Sequence, residues 1–311
     1  MTLQHASFAR ARTIDEACRL LTDRAAEKPM LLAGGTDLVV EGHLAEPTAL
    51  APEPRLLIDV SSVTELQDFS ERGEVGGVHT IRIGGGVTYL MLRREPRLSS
   101  RLPLLALMAK DVGAVQIQAR GTLAGNLATA SPAADGVAAL AALDAVIVLR
   151  STRGERTVPI GDFYTGYKKT ERRPDELIAA VDVRVPSASA RWVWRKVGTR
   201  LAQAISKVAL AAVVEVDAQG TVTHARFGMA SVAATTALLS GVRKALEGQN
   251  VANLDIEQVV AALDADISPI DDVRSTGEYR MHVARALVRQ FVLRLDGKPS
   301  VPPPPTSVRP R

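Results

Sequence analysis

Cysteine is nearly absent from this 311-residue chain. The single Cys18 excludes an intrachain disulfide, a Cys-ligated iron–sulfur cluster and a Cys-rich zinc site within these residues, and it fits a reducing, cytoplasmic setting. Cys18 falls on the apolar side of a predicted helix with Ile14, Ala17 and Leu21, so it reads as a packing residue. No apolar run approaches the roughly 18 residues that a membrane span needs, and the N-terminus lacks the pattern of a targeting signal. Lys and Arg number 38 against 34 Asp and Glu, a net charge of +4 spread without a dense block, which argues against a nucleic-acid partner. The five histidines, His5, His43, His79, His224 and His282, are far apart and predict no metal site.

The usual nucleotide signatures are also missing. Gly84-Gly85-Gly86-Val87-Thr88-Tyr89 lacks the last glycine of a dinucleotide fingerprint, and no glycine turn ends in the Gly-Lys-Ser/Thr of a phosphate-binding loop. Ser131 and Ser206 have no sequence partner that would make either a nucleophile, and no acid–base constellation stands out. A Rossmann NAD site, an ATPase and a self-contained hydrolase are therefore unsupported, and no catalytic residue is assigned.

What is present is an apolar fraction of 46%, enough for a large core, in a chain long enough for two domains. Thr13-Ile14-Asp15-Glu16 has capping-box spacing and opens a predicted helix over 13–27. Met30 to Ala33 reads as a strand, Gly34-Gly35-Thr36 as a turn, and Asp37 to Ala45 as a helix. Strands are expected over Arg55–Val60, Thr80–Ile83, Ala145–Leu149 and Leu177–Val185. A helix over Ala133–Leu143 is expected to begin at Pro132. The small, polar stretch 186–190 marks a boundary. Beyond it, strands over 191–197, 207–216 and 221–229 precede helices over 235–246, 255–263 and 276–295, the pattern of an α+β domain. The division is thus 1–187, with lobes of about 1–60 and 61–187, then 190–297, then a Pro-rich tail over 298–311 expected to be an extended arm.

Glycine lets a chain turn through positive φ and lets backbone N–H groups approach a diphosphate. Two of the glycine turns lead directly into helix starts, where unpaired N–H groups and the helix dipole favour an anion. Any one such turn, taken alone, reads as a tight connection between strands, and the argument for function rests on their combination. Asp37 and Asp135 also read as first-turn helix acids favoured by the dipole, and Lys196 as a solvated strand lysine. Trp192 and Trp194 alternate on a strand and share one face, as packing or interface residues.

Taken in order, Ala33-Gly34-Gly35-Thr36-Asp37-Leu38, Gly121-Thr122-Leu123-Ala124-Gly125-Asn126, Ser131-Pro132-Ala133-Ala134-Asp135, Phe163 to Thr170, Glu176-Leu177-Ile178 and Arg195 to Arg200 resemble the FAD-binding medium subunits of the molybdenum hydroxylases, the xanthine dehydrogenase and carbon monoxide dehydrogenase flavoproteins. The resemblance spans the chain except its tail. It implies an α+β fold: a two-lobed FAD-binding domain of the vanillyl-alcohol oxidase type, followed by a smaller flavoprotein C-terminal domain. It implies that Leu31, Leu32, Ala33, Gly34, Gly35, Thr36, Asp37 and Leu38 form the first loop under the FAD diphosphate, and Thr122, Leu123, Ala124, Gly125 and Asn126 the second. Asp135 would accept a hydrogen bond from the cofactor, and Ile178 and Lys196 would lie near the flavin and its nucleotide. Ala124 departs from the glycine common in relatives; its methyl requires a negative φ, which places the closest approach at Gly125.

The resemblance further implies an oxidoreductase subunit that moves electrons and does not oxidise substrate itself. A large partner would carry a molybdenum–pterin centre and a small one 2Fe–2S clusters, in a hetero-oligomer such as a dimer of heterotrimers. The substrate (an N-heterocycle, an aldehyde or carbon monoxide) and the electron acceptor stay open, although Lys196 to Lys207 looks more like the xanthine dehydrogenase side. A self-sufficient FAD reductase or oxidase, and a non-redox nucleotide-binding scaffold, are the alternatives.

Overall fold

A computed structural model describes residues 7–44, 56–75 and 78–296. Ala45, Arg55, His5 and the tail from 298 lie outside the described residues.

The first lobe is built on three short parallel strands, β1 (Ser7–Arg10), β2 (Met30–Leu32) and β3 (Leu56–Asp59), in the order β1-β3-β2. Helix α1 (Ile14–Asp23) links β1 to β2, and Thr13 Oγ1 caps it by accepting from Glu16 N at 3.1 Å. Glu16 reaches back to Arg12 N, one residue earlier than the expected box. The helix is shorter than 13–27: a 3-10 turn over Ala25–Glu27 follows it, and Lys28 takes φ 48° to enter β2. The apolar side of α1, including Cys18, packs on Leu56 and Ile58. β2 then runs into α2 (Thr36–Leu44) through the Gly34-Gly35 turn.

The second lobe is a five-stranded sheet in the order β4 (Phe69–Val75), β5 (Val78–Gly84), β10 (Leu177–Arg184), β6 (Val146–Ser151) and β7 (Gly154–Pro159), with neighbours antiparallel. A short hairpin, β8 (Tyr164–Gly166) with β9 (Lys169–Thr170), precedes β10. Between β5 and β6 come α3 (Tyr89–Arg94), α4 (Pro96–Arg101), α5 (Pro103–Met108), α6 (Val115–Arg120), α7 (Leu123–Thr129) and α8 (Asp135–Ala142), and α9 (Ile160–Phe163) follows β7. Strand β4 and the helices α3 to α6 had no clear sequence signal, because six-residue helices are too short to display a period.

Pro132 does not open α8. Ser131 to Ala134 form a turn in which Ala134 N donates to Ser131 O, and the helix starts at Asp135. All eight residues of α8 are buried. The helix lies between the five-stranded sheet and a second sheet of β11 (Arg191–Val197), β12 (Val208–Val216) and β13 (Val222–Ala230). Small side chains make this sandwiching possible. A Cβ on Gly228 would lie 2.1 Å from Ala138 O, so β13 and α8 approach to backbone contact only because both positions are small.

Strand β12 turns Ala209, Ala211 and Val213 toward α8. It turns Val208, Leu210, Ala212 and Val214 toward a second core with α10 (Ser240–Leu246), α11 (Ile256–Ala261) and α12 (Gly277–Val292). The period of two thus separates two cores across one strand. Helix α10 begins later than the expected 235, because Ala237 pairs with Met229 and Leu239 takes φ 47° before the helix.

Candidate functional site

The Gly34-Gly35 turn sits at the carboxyl end of a parallel strand, where open parallel sheets hold ligands. Gly35 has φ +73°, and a Cβ on Gly34 would fall 1.9 Å from Arg120 O. Both glycines are therefore required, one by its dihedral and one by the contact between the first loop and the end of α6. The first helical bond here is Val39 N to Gly35 O at 3.0 Å. The N–H groups of Gly34, Gly35, Thr36, Asp37 and Leu38 donate to no acceptor among the described residues. Five consecutive donors with the positive end of α2 behind them form an anion-binding concavity.

The second loop faces it. Thr122 Oγ1 caps α7 by accepting from Gly125 N at 3.0 Å, and Leu123 N donates to Val87 O. Thr129, at the end of α7, donates its hydroxyl to Asp37 Oδ2 at 2.6 Å and so ties the two glycine segments together. Ala124 is absent from the positive-φ residues, so its methyl is accommodated in helical backbone. A third glycine segment joins them: Gly85 N donates to Ala179 O, and a Cβ there would lie 2.2 Å from Ile178 O and 3.1 Å from the Ala124 methyl. The β-bulge in β10 between Ile178 and Ala180 makes this junction.

These segments enclose a cavity of about 400 Å³. Of the residues singled out from the sequence, Leu31, Ala33, Gly34, Gly35, Thr36, Asp37, Leu38, Thr122, Ala124, Gly125, Asn126 and Ile178 line it. Leu32, Leu123, Asp135 and Lys196 do not. Leu32 belongs to β2, and Leu123 is wholly buried. Asp135 and Lys196 meet each other instead: Lys196 Nζ donates to Asp135 Oδ2 at 2.5 Å and to Asp111 O at 2.8 Å, while Ser206 donates to Asp135 Oδ1 at 2.6 Å. Burial pushes the Asp135 carboxyl up, and Lys196 and Ser206 oppose that shift.

The wall also holds groups that sequence reasoning missed, among them Tyr89, Gly85, Gly121, Ile117, Lys168 and Arg172. The glycines, and Lys168 within 163–170, stood in stretches with a sequence signal, but none of the six was singled out as a site residue. Tyr89 is 2% exposed, and its hydroxyl and Asn126 Oδ1 are buried without a partner among the described residues. Both atoms would lie 2.6 Å from a Cβ on Gly136, directly after Asp135, so they converge on one spot. Burial, with Asp135 and Asp37 nearby, pushes the Tyr89 hydroxyl well above its ordinary range and keeps it a hydrogen-bond donor. Arg172 is anchored on Glu176 O at 2.7 Å, and burial lowers its affinity for its proton.

Residues 4–188 match the FAD binding domain in molybdopterin dehydrogenase, and residues 194–295 match the CO dehydrogenase flavoprotein C-terminal domain. The chain belongs to the FAD-binding medium subunits of the molybdenum hydroxylases. It is 31% identical over 284 residues to the medium chain of carbon monoxide dehydrogenase from Hydrogenophaga pseudoflava, covering 90% of this chain and 93% of that one. It is 33% identical over 221 residues to the FAD-subunit of nicotinate dehydrogenase from Eubacterium barkeri, covering 70% and 71% respectively. The solved structure of the Hydrogenophaga pseudoflava enzyme superposes with a TM-score of 0.85 over 94% of this chain and 97% of that chain, at 28% identity. The molybdenum hydroxylase flavoprotein is thus an oxidoreductase subunit of α+β fold. No helix among the described residues is long and apolar enough to cross a membrane.

The donor set fits a dinucleotide. The unpaired N–H ladder of Gly34 to Leu38 suits a diphosphate, and Tyr89 and Asn126 line the same cavity.

Proposed function

We propose that this flavoprotein subunit holds FAD in the cavity between the Gly34-Gly35, Gly85 and Thr122–Asn126 segments. In this reading it relays electrons from a 2Fe–2S-bearing partner to an external acceptor, while a large molybdenum–pterin partner oxidises the substrate. The observation that carries this is the run of five N–H groups from Gly34 to Leu38 with no acceptor among the described residues. They would hold the diphosphate, with Thr129 keeping the Asp37 carboxylate turned to its hydroxyl and away from the anion. Tyr89 and Asn126 would orient the cofactor from the floor, and Ile178 would cover an apolar face. Asp135 and Lys196, paired behind the wall, would reach the cofactor if the Ser206 or Asp111 bond opened. Bound FAD supplies the redox chemistry; the chain supplies placement and exclusion of water.

The same proposal assigns residues 1–187 to the FAD-binding domain, 190–297 to a domain that covers it, and 298–311 to an extended arm. It places a hetero-oligomer, such as a dimer of heterotrimers, in the cytoplasm. Its support lies in the two matched family regions, which leave only 189–193 between them. The relatives act on different molecules, nicotinate and carbon monoxide by name, which agrees with a substrate site outside this subunit.

The test is reconstitution. The purified chain incubated with FAD and then desalted should stay yellow and saturate at one FAD per chain, and FAD reduction should follow addition of substrate only when the partner subunits are present. A chain that stays colourless, or one that alone turns over substrate, overturns the reading.

A further inference from the structure

Strand β11 is an edge of its sheet: β12 flanks one side, and no strand pairs with the other among the described residues. An edge strand presents every second N–H and C=O outward, ready for another chain. Beside this edge, between β11 and α12, runs a groove of about 310 Å³. Its apolar wall includes Trp192, Leu287 and Phe291, and its charged wall consists of Arg191, Arg195 and Arg294.

The three arginines differ from most others in this chain. Arg82, Arg156, Arg184, Arg226, Arg280 and Arg289 each meet a carboxylate. Arg191, Arg195 and Arg294 form no ion pair among the described residues, yet they share one groove. Arg191 Nη1 and Arg195 Nε are moreover shut off from water and have no hydrogen-bond acceptor among the described residues. Charged side chains that merely protect an edge from aggregation would extend into solvent.

We propose that the groove along β11 is the docking site for an extended acidic segment of another subunit of the same complex. The segment adds as a strand to the free edge, sets Asp or Glu side chains opposite Arg191 and Arg195, and rests an apolar residue on Trp192. Arg191 and Arg195 are four residues apart on one face of the strand, about 13 Å at strand rise, which asks for two acids four residues apart on an extended chain. Trp192, 37% exposed at the same edge and turned to the opposite face of β11 from the arginines, is the anchor type that dominates such contacts, and the residue of the docked strand between the two acids would meet it. The chain's own residues 297–311 are a poor match, with Lys298, Arg309 and Arg311, no acid, and five prolines between 302 and 310 that cannot donate to a strand edge.

This inference rests on the heteromeric reading above and is tested in the assembled complex. The chain is co-expressed with the other subunits of its complex, carrying the photo-crosslinking residue p-benzoylphenylalanine in place of Trp192. Irradiation should join it to one acid-bearing stretch of a partner subunit. In parallel, Arg191→Glu with Arg195→Glu should weaken assembly by about tenfold or more, Arg191→Gln with Arg195→Gln by less, and rising salt should weaken the wild-type complex. FAD content and the melting temperature of the free variants report that they fold. A crosslink only to residues 298–311, only to a second copy, or to nothing overturns the proposal, as does unchanged assembly of the charge-reversed variant. If the complex forms but the groove is silent, only this inference fails; if FAD binds and no complex forms at all, the heteromeric reading fails with it.

Discussion

Lys196 Nζ donates to Asp135 Oδ2 at 2.5 Å, joining β11 to the first residue of α8 across the junction between the FAD-binding and C-terminal parts of the chain. Each side chain is only 9% exposed. Asp135→Asn would leave the Lys196 ammonium buried beside Asp111 O and Ser206 without its counter-charge. We expect a loss of about 3 kcal/mol of stability, read as a lowered urea midpoint of the FAD-free chain. Lys196→Met should cost less than Lys196→Ala, because the methyl-bearing stem fills the same space. Equal stability of Asp135→Asn and wild type would show that the pair does not hold the junction.

Gly34 and Gly125 separate two meanings of a glycine. Gly34→Ala would drive a Cβ to within 1.9 Å of Arg120 O, a backbone atom that cannot swing aside, whereas Gly125→Ala meets only Thr122 Oγ1 at 3.0 Å. The first substitution should cost about 3 kcal/mol and abolish FAD uptake. The second should fold and bind FAD with a modest loss. Flavin absorbance after reconstitution and gel filtration distinguishes them, and full flavin content in the Gly34→Ala variant would refute the contact.

Tyr89 carries a buried hydroxyl without a partner among the described residues. Tyr89→Phe should therefore leave the FAD-free chain as stable or raise its stability by about 1 kcal/mol, and weaken FAD binding by about tenfold. Thermal melts with and without FAD read both effects. Unchanged affinity would mean that the hydroxyl does not meet the cofactor.

Glu176 fixes the turn that enters β10. It accepts from Arg156 at 2.7 and 2.8 Å and from Arg173 N at 2.8 Å. Burial pushes its carboxyl up, but these bonds more than offset that and hold it below the ordinary carboxylate range. A depressed folded-state value means that the contribution is fully present above the unfolded value of about 4.3 and is lost as the pH falls through the folded value. Glu176→Gln should cost about 2 kcal/mol at neutral pH and flatten the acid limb of the stability profile. An acid limb identical to that of the wild type would assign it to other carboxylates.

The elements with strong local signals were legible in the sequence. Thr13 with Glu16 marked the start of α1, Gly34-Gly35 the turn out of β2, and the apolar run over 207–216 the strand β12. The loops carrying the cavity were legible because glycine and helix-start residues leave a pattern in one dimension. Tyr89 was not, since an aromatic residue in a six-residue helix looks like any core residue. Lys168 lay in the stretch 163–170 that carried the resemblance but had no role of its own there, and Arg172, a basic residue in a loop, carried no signal.

By itself, then, the sequence determined the local backbone: the turn glycines, the caps, the apolar strands, and through their order the resemblance to a flavoprotein. The tertiary structure decided which groups share a wall and which groups pair. Asp135 and Lys196 lie 61 residues apart and their union could not be read from either neighbourhood; nor could the contact of Gly34 with Arg120 O, or the lack of partners at Tyr89 and Arg195 among the described residues. The reason is physical: backbone preference is set by neighbours along the chain, whereas hydrogen-bond satisfaction and desolvation are set by neighbours in space.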